Sequence, residues 1–341
     1  MTHPGFRPSR RTLMKIAGSG IAAGALAELG PGAAAAQPAD AGIWSAEYRA
    51  KKEDVSLYLF RKRLGAPAKG LPERPVLFLV HGSSVSSRPT FDLTVPGKGE
   101  YSLMNVFAGY GFDVWTMDHE GYGRSTRTEG NSDIRSGAED LAAGSAVVAR
   151  ETGRQGMHLM GESSGALRAA VFAAAHPERV DRLVLMAFTY TGAGSPTLQK
   201  RADQLEYFRT HNRRKRDREM IRSIFSRDKP GTADPAVAEA MADSELPFGE
   251  TVPTGTYLDM TANLPVVDPA KVLAPTLVVR GEHDGIATEQ DLLDFYRKLP
   301  SPDRQFSILP GLAHSLALGV NRRLFWHCAR AFLEMPRATP I

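Results

Sequence analysis

Gly161-Glu162-Ser163-Ser164-Gly165 is the stretch on which the fold of this chain turns. Met157-His158-Leu159-Met160 before it is short and largely apolar, the composition of a strand covered on both faces. Residues 164–176 after it are rich in alanine, of high helix propensity, and stop before Pro177. A serine placed between a strand and a helix in so few residues sits on a very sharp turn. Glycines are needed on either side, because side chains there would strike the neighbouring strand and helix. The helix start also leaves N–H groups unpaired, pointing at any developing negative charge.

Working outward, the same alternation of short apolar runs and helical stretches continues on both sides. Short apolar runs lie at 76–80, 112–117, 183–186, 275–279 and 306–309. Helical stretches lie at 132–152, 289–299 and 321–333. This is the signature of an α/β fold with a mostly parallel sheet between two helical layers. Residues 45–63 are more polar and alternate, as an antiparallel pair at the sheet edge does.

One segment breaks the rhythm. Residues 191–265 are polar, look helical, and are expected to form an inserted cap between a first core part, 42–190, and a second, 266–335. They hold the basic run Arg213-Arg214-Lys215-Arg216 with Arg218, Arg222 and Arg227. A solvated helix face, with Ile221, Ile224 and Phe225 turned inward at helical spacing, is preferred over a patch for acidic substrates.

A serine hydroxyl is a weak nucleophile and needs a base that is itself oriented by an acid. Gly281-Glu282-His283-Asp284-Gly285 follows the run at 275–279, and Pro310-Gly311-Leu312-Ala313-His314 follows that at 306–309. Asp284 and His314 therefore fall on loops at the carboxyl ends of strands, where such sheets place their sites. His81-Gly82-Ser83-Ser84 ends the first apolar run, and Asp118-His119-Glu120-Gly121-Tyr122-Gly123-Arg124-Ser125 follows the second.

These motifs, in the order in which they fall along the chain, resemble the α/β-hydrolase superfamily over about residues 42–335. The resemblance implies an α/β-hydrolase fold with about eight strands and an inserted helical cap. It implies Ser163 as nucleophile, His314 as general base and Asp284 as its orienting acid, with Glu282 a less favoured rival. The oxyanion would be held by backbone N–H groups of Ser83 and Ser164, while His81 and the 118–125 loop would serve geometry. Phe188 and Tyr190, at a strand end beside the nucleophile, are candidate substrate-pocket walls, with an ordinary core role as the alternative. A serine at 163 argues against haloalkane dehalogenases and epoxide hydrolases of this fold, which use aspartate. Esterases and lipases, lactonases, carbon–carbon bond hydrolases, peptidases or amidases, and perhydrolase-like enzymes remain. The expectation is a carboxylic-ester hydrolase acting on a small molecule, without metal or cofactor.

Other classes fare worse. His81, His119, Glu162, His283 and Asp284 are candidates for one shared face, yet they lack the usual metal-ligand spacings and already have places in the motifs. A non-catalytic binding protein on this fold would normally lack one member of the triad. The pI of 9.1 suggests nucleic acid, but residues 1–36 carry three of the four net positive charges. The remainder is nearly neutral and offers no field for steering polyanions.

Those first residues have their own logic. Arg10-Arg11 and Lys15 precede an apolar run at 16–27, then Ala33-Ala34-Ala35-Ala36. This resembles a twin-arginine signal at 1–36, read by export machinery and cleaved near Ala36 to leave a periplasmic or secreted protein without a stable membrane anchor. A run that short spans about 18 Å as a helix, too little for a ~30 Å hydrocarbon core. With Cys328 as the one cysteine, no intrachain disulfide can form, and Cys328 itself is expected to be an inert core thiol.

Overall fold

Successive side chains of a strand point to opposite faces, so a strand covered on both sides is apolar at every position. The computed structural model, which describes Met1 and residues 42–336, follows that rule through the centre of its sheet. The expected signal at 1–36 lies, apart from Met1, outside the described residues. Strands β1 (Ile43–Lys52), β2 (Val55–Leu64), β3 (Val76–Val80), β4 (Asp113–Met117), β5 (Met157–Glu162) and β6 (Val180–Met186) come first. After them come β7 (Arg213–Lys215), β8 (Thr251–Pro253), β9 (Thr276–Gly281) and β10 (Arg304–Leu309). Eight form one sheet in the order β1-β2-β4-β3-β5-β6-β9-β10. β2 runs antiparallel to β1 and β4, and all other pairings are parallel. This is the α/β-hydrolase fold.

Alternation splits the core in two. Leu59, Phe78, Val80, Trp115, Leu159 and Leu183 face one layer, against the helices Ile134–Thr152, Ser164–Ala175 and Glu289–Lys298. Phe60, Leu77, Leu79, Val114, Met160 and Val184 face the other, against Leu103–Gly109 and Arg322–Leu333. Each fully buried side chain of this size contributes roughly 1.5–3 kcal/mol, so a strand slipped by one residue would lose a whole face. The helix ends have local causes. Asp133 accepts from the Ser136 N–H, which starts the first of these helices at Ile134, and Gly153 at φ 74° closes it. Cys328 is half-buried in the second layer, where burial pushes its thiol pKa up.

Three expectations change in part. The antiparallel pair expected at the sheet edge is β1 and β2, but β2 is not polar there: it is buried over 57–61, and its Leu59 lies opposite Met117 of β4. β6 begins at Val180 because Arg182, which breaks the apolar run, is folded over the Phe332 ring and paired with Asp303 at 2.9 Å. Within 191–265, short helices are joined by the β7–β8 ribbon, so Arg213-Arg214-Lys215 is a strand and not a helix face. Arg216 is buried against Glu245 and the Gly249 carbonyl. The solvated-face reading holds only from Arg218, where Arg218 and Arg222 pair with Glu239 while Ile221 and Phe225 turn inward. Among the described residues, no helix is long and apolar enough to cross a membrane.

Candidate active site

β5 runs into the helix Ser164–Ala175 through Ser163, whose backbone sits at φ 57° and ψ −122°. That conformation costs of order 1–3 kcal/mol for a residue with a Cβ and is tolerated only where the surroundings enforce it. They do. A Cβ on Gly165 would lie 2.2 Å from the Val80 carbonyl oxygen, and one on Gly161 would lie 2.4 Å from that of Gly165. The Ser163 N–H donates to the Met186 carbonyl at 3.0 Å, tying the turn to β6. The hydroxyl is thereby lifted into a cleft above the sheet.

Two further loops meet it. The Glu282 N–H donates to the Leu309 carbonyl and the His283 N–H to the Leu312 carbonyl, both at 2.9 Å, lacing the loop after β9 to the one after β10. The Glu282 carboxylate accepts from the Gly311 N–H at 2.9 Å, so this rival acid is a tie between loops. Asp284 is buried, and its Oδ1 lies 2.9 Å from His314 Nδ1 while also accepting from the Ile286 N–H at 3.0 Å. Burial alone would raise the Asp284 carboxyl; the charge and hydrogen bond of His314, the Ile286 N–H and Arg227 outweigh it and hold it below its ordinary value. Nδ1–H donation to Asp284 leaves His314 Nε2 as the free acceptor. His314 and Ser163 line the same open cleft. No hydrogen bond joins them among the described residues; such contacts commonly tighten only around substrate.

The loop expected to hold the oxyanion is tied more elaborately than the sequence suggested. The N–H groups of Ser83 and Ser164 make no backbone hydrogen bond among the described residues. Their side chains are linked: Thr256 Oγ1 donates to Ser83 Oγ at 2.9 Å, and Ser83 Oγ to Ser164 Oγ at 2.8 Å. The Tyr122 hydroxyl donates to the Ser83 carbonyl at 2.9 Å, which turns the Ser83 peptide. Tyr122 belongs to the 118–125 loop, whose Asp118 carboxylate accepts from the N–H groups of Ser87 and Arg124. Thr256 lies in the insertion and had no signal in the sequence. His81 is fully buried, and its Nε2 accepts from the His119 N–H at 3.1 Å. Burial, with nearby cationic groups, keeps it neutral far below its ordinary range.

Glu162, between Gly161 and Ser163, lines the cleft. Burial, then the neighbouring Asp284, raises its carboxyl to about 8. From the insertion come Arg201, Arg227 and Asp228. The first two line the cleft, and the carboxylate of Asp228 converges on Asp284 and His314, with one ligand atom from each within 4.8 Å. Arg201 and Asp228 were not singled out in the sequence; Arg227 stood in the basic run whose patch reading was the less preferred one. Phe188 and Tyr190, expected as pocket walls, are elsewhere. Both are buried in the core against Phe295, with ring centroids 4.7 and 5.4 Å from it. The Asp291 carboxylate accepts from the N–H groups of Tyr190 and Thr191, at 2.9 Å each, and draws this segment onto the helix Glu289–Lys298.

Solved structures share this architecture at low sequence identity. E-2-(acetamidomethylene)succinate hydrolase is similar at 19% identity and TM-score 0.63, covering 86% of this chain and 100% of that one. The 2-hydroxy-6-oxo-6-phenylhexa-2,4-dienoate hydrolase of Rhodococcus sp. strain RHA1 gives 18%, 0.61, 86% and 100%. Carboxylesterase CesB of Bacillus subtilis gives 18%, 0.57, 85% and 92%. Comparison with curated proteins gives no match. The family model described as serine aminopeptidase, S33, matches residues 95–319, well over half of the sequence. The chain therefore belongs to that family of α/β hydrolases.

Proposed function

We propose that this protein is an exported serine hydrolase that cleaves a small carboxylic ester through an acyl-enzyme on Ser163. The observation that carries the reading is the strained Ser163 turn in one cleft with His314, whose Nδ1 lies 2.9 Å from Asp284. In this mechanism Ser163 Oγ attacks the ester carbonyl carbon while His314 Nε2 takes its proton. The carbonyl oxygen becomes an oxyanion held by the Ser83 and Ser164 N–H groups. The tetrahedral intermediate collapses, the C–O bond to the alcohol breaks, and His314 returns the proton to that oxygen. Water, deprotonated by His314, then releases the acid and restores Ser163. Asp284 fixes the imidazole tautomer and stabilises its cation without taking the proton.

The family description makes a peptidase the second reading, and Glu162 in the cleft is the one feature that favours it. A substrate ammonium needs an anion to meet it. Glu162, with its carboxyl raised to about 8, is mostly neutral at pH 7, and Arg201 and Arg227 share the cleft. That balance favours an ester or lactone over an aminoacyl substrate. Support for export rests on the sequence of residues 9–36.

A panel of ester, lactone, amide and aminoacyl chromogenic substrates, read with wild type and Ser163→Ala, separates these classes. Ester turnover reduced about 10⁴-fold or more in the alanine variant is expected. Amide turnover without ester turnover would refute the ester assignment, and retained activity in the variant would refute the mechanism. For export, the mature N-terminus should lie near Gln37, and Arg10→Lys with Arg11→Lys should hold the protein in the cytoplasm; export unaffected by that pair would refute the twin-arginine route.

A further inference from the structure

A charged group kept from water without a partner is costly, so a protein that holds one in a cleft usually has a ligand for it. Arg201 and Arg227 line the Ser163 cleft and also the wider polar cleft on the far side of Asp284. Neither side chain is wholly buried, Arg227 being a quarter exposed, but Arg201 Nη1 and Arg227 Nη2 are sealed from solvent with no hydrogen-bond partner among the described residues. Arg227 has a weak tie to Asp228 at 3.3 Å, and Arg201 has no ion pair there at all. Its guanidinium rests on the Tyr257 ring, 5.1 Å from the centroid, a ring it shares with Arg214 at 4.6 Å. The Tyr257 hydroxyl is in turn fixed to Ser84 Oγ at 2.7 Å. Burial, with repulsion from Arg227 and Arg214 outweighing the attraction of Asp228, lowers the Arg201 pKa to about 10. The acids nearby relieve the pair only in part: Asp228 holds one edge of Arg227, Asp284 feels the Arg227 charge but serves His314, and Glu282 is bound to the Gly311 N–H.

We propose that Arg201 and Arg227 form an anion subsite at the Ser163 cleft, and that the substrate is an ester whose acyl part carries a carboxylate. The inference rests on the serine-hydrolase reading and names its substrate class. A planar guanidinium fork with a desolvated nitrogen suits a carboxylate better than a neutral oxygen, because the charge-assisted bond replaces a missing partner. Fixing that end of the acyl chain would set the ester carbonyl over Ser163.

The test compares p-nitrophenyl hemiglutarate with its neutral methyl ester, p-nitrophenyl methyl glutarate, on wild type, Arg201→Gln, Arg201→Lys and Arg227→Gln. Wild type should prefer the hemiester by about 10–100-fold in kcat/KM, the range expected of hydrogen bonds to a charged group. The preference should collapse in both glutamine variants, mainly through KM, and survive in part in Arg201→Lys. Equal turnover of the two esters by wild type, or a preference unchanged by the substitutions, would overturn the subsite. A binding arm does not depend on turnover: glutarate should raise the melting temperature of wild type and not of Arg201→Gln or Arg227→Gln. If neither ester is cleaved and Ser163 resists a fluorophosphonate, the hydrolase reading fails, while a glutarate shift lost in the variants still supports the subsite. No shift in wild type overturns it, and inorganic phosphate acting as strongly as glutarate, without hemiester preference, overturns the choice of carboxylate.

Discussion

The turn at Ser163 and the insertion at 191–265 supply the same cleft by opposite means. In the turn, every constraint is local: two glycines, a strand before, a helix after, and carbonyl oxygens 2.2–2.4 Å from where a Cβ would stand. In the insertion, placement depends on contacts far away in sequence, such as Thr256 with Ser83 or Arg201 with Tyr257. Chemistry built on sterics within five residues leaves a pattern; specificity built on long-range packing does not.

The comparison can be broken at its local end first. Gly165→Ala puts a methyl group against the backbone of Val80 and His81, neither of which can move without disturbing β3. A loss of more than about 4 kcal/mol is expected, and urea unfolding checks it. A variant as stable as wild type would show the turn to be less constrained than its geometry implies.

At the long-range end, Arg216→Met leaves Glu245 buried with only Ser86 as donor. About 3–5 kcal/mol should be lost, and much of it regained in Arg216→Met with Glu245→Leu. Failure of the double variant to recover would mean that the pair matters for more than its charge. Between the two regions lies the hydroxyl chain from Thr256 to Ser164. Thr256→Val removes its first link, worth about 1 kcal/mol, so kcat should fall about fivefold with little change in KM. An unchanged kcat would detach the insertion from the oxyanion site.

The smallest effect concerns pH. Glu162 is neutral below about 8 and ionises above it, adding a negative charge beside Asp284 in the cleft where an oxyanion must form. At pH 8, half of the molecules would carry that charge, so kcat/KM should drop about twofold and keep falling, while Glu162→Gln should stay level there. Identical profiles for the two proteins would remove Glu162 from the account.

These contrasts also explain what the sequence could and could not show. Strand and helix were legible because their periods are local, and Asp284 and His314 because each follows a strand by a fixed short step. Arg182 hid the start of β6, since an arginine looks polar in a sequence although its stem lies on Phe332. Phe188 and Tyr190 looked like pocket walls from their place at the end of β6. Asp291, about a hundred residues later, decides otherwise by binding the backbone at 190–192. The basic run at 213–216 likewise depends on pairing with 251–253, which no local pattern announces.

The central claim is that Ser163 is the nucleophile, activated by His314. Reaction of the folded protein with a fluorophosphonate, followed by peptide mass spectrometry, tests it most directly. The account predicts a single adduct on Ser163, formed far more slowly in His314→Ala. No adduct, or an adduct on Ser83 or Ser164 instead, would contradict it.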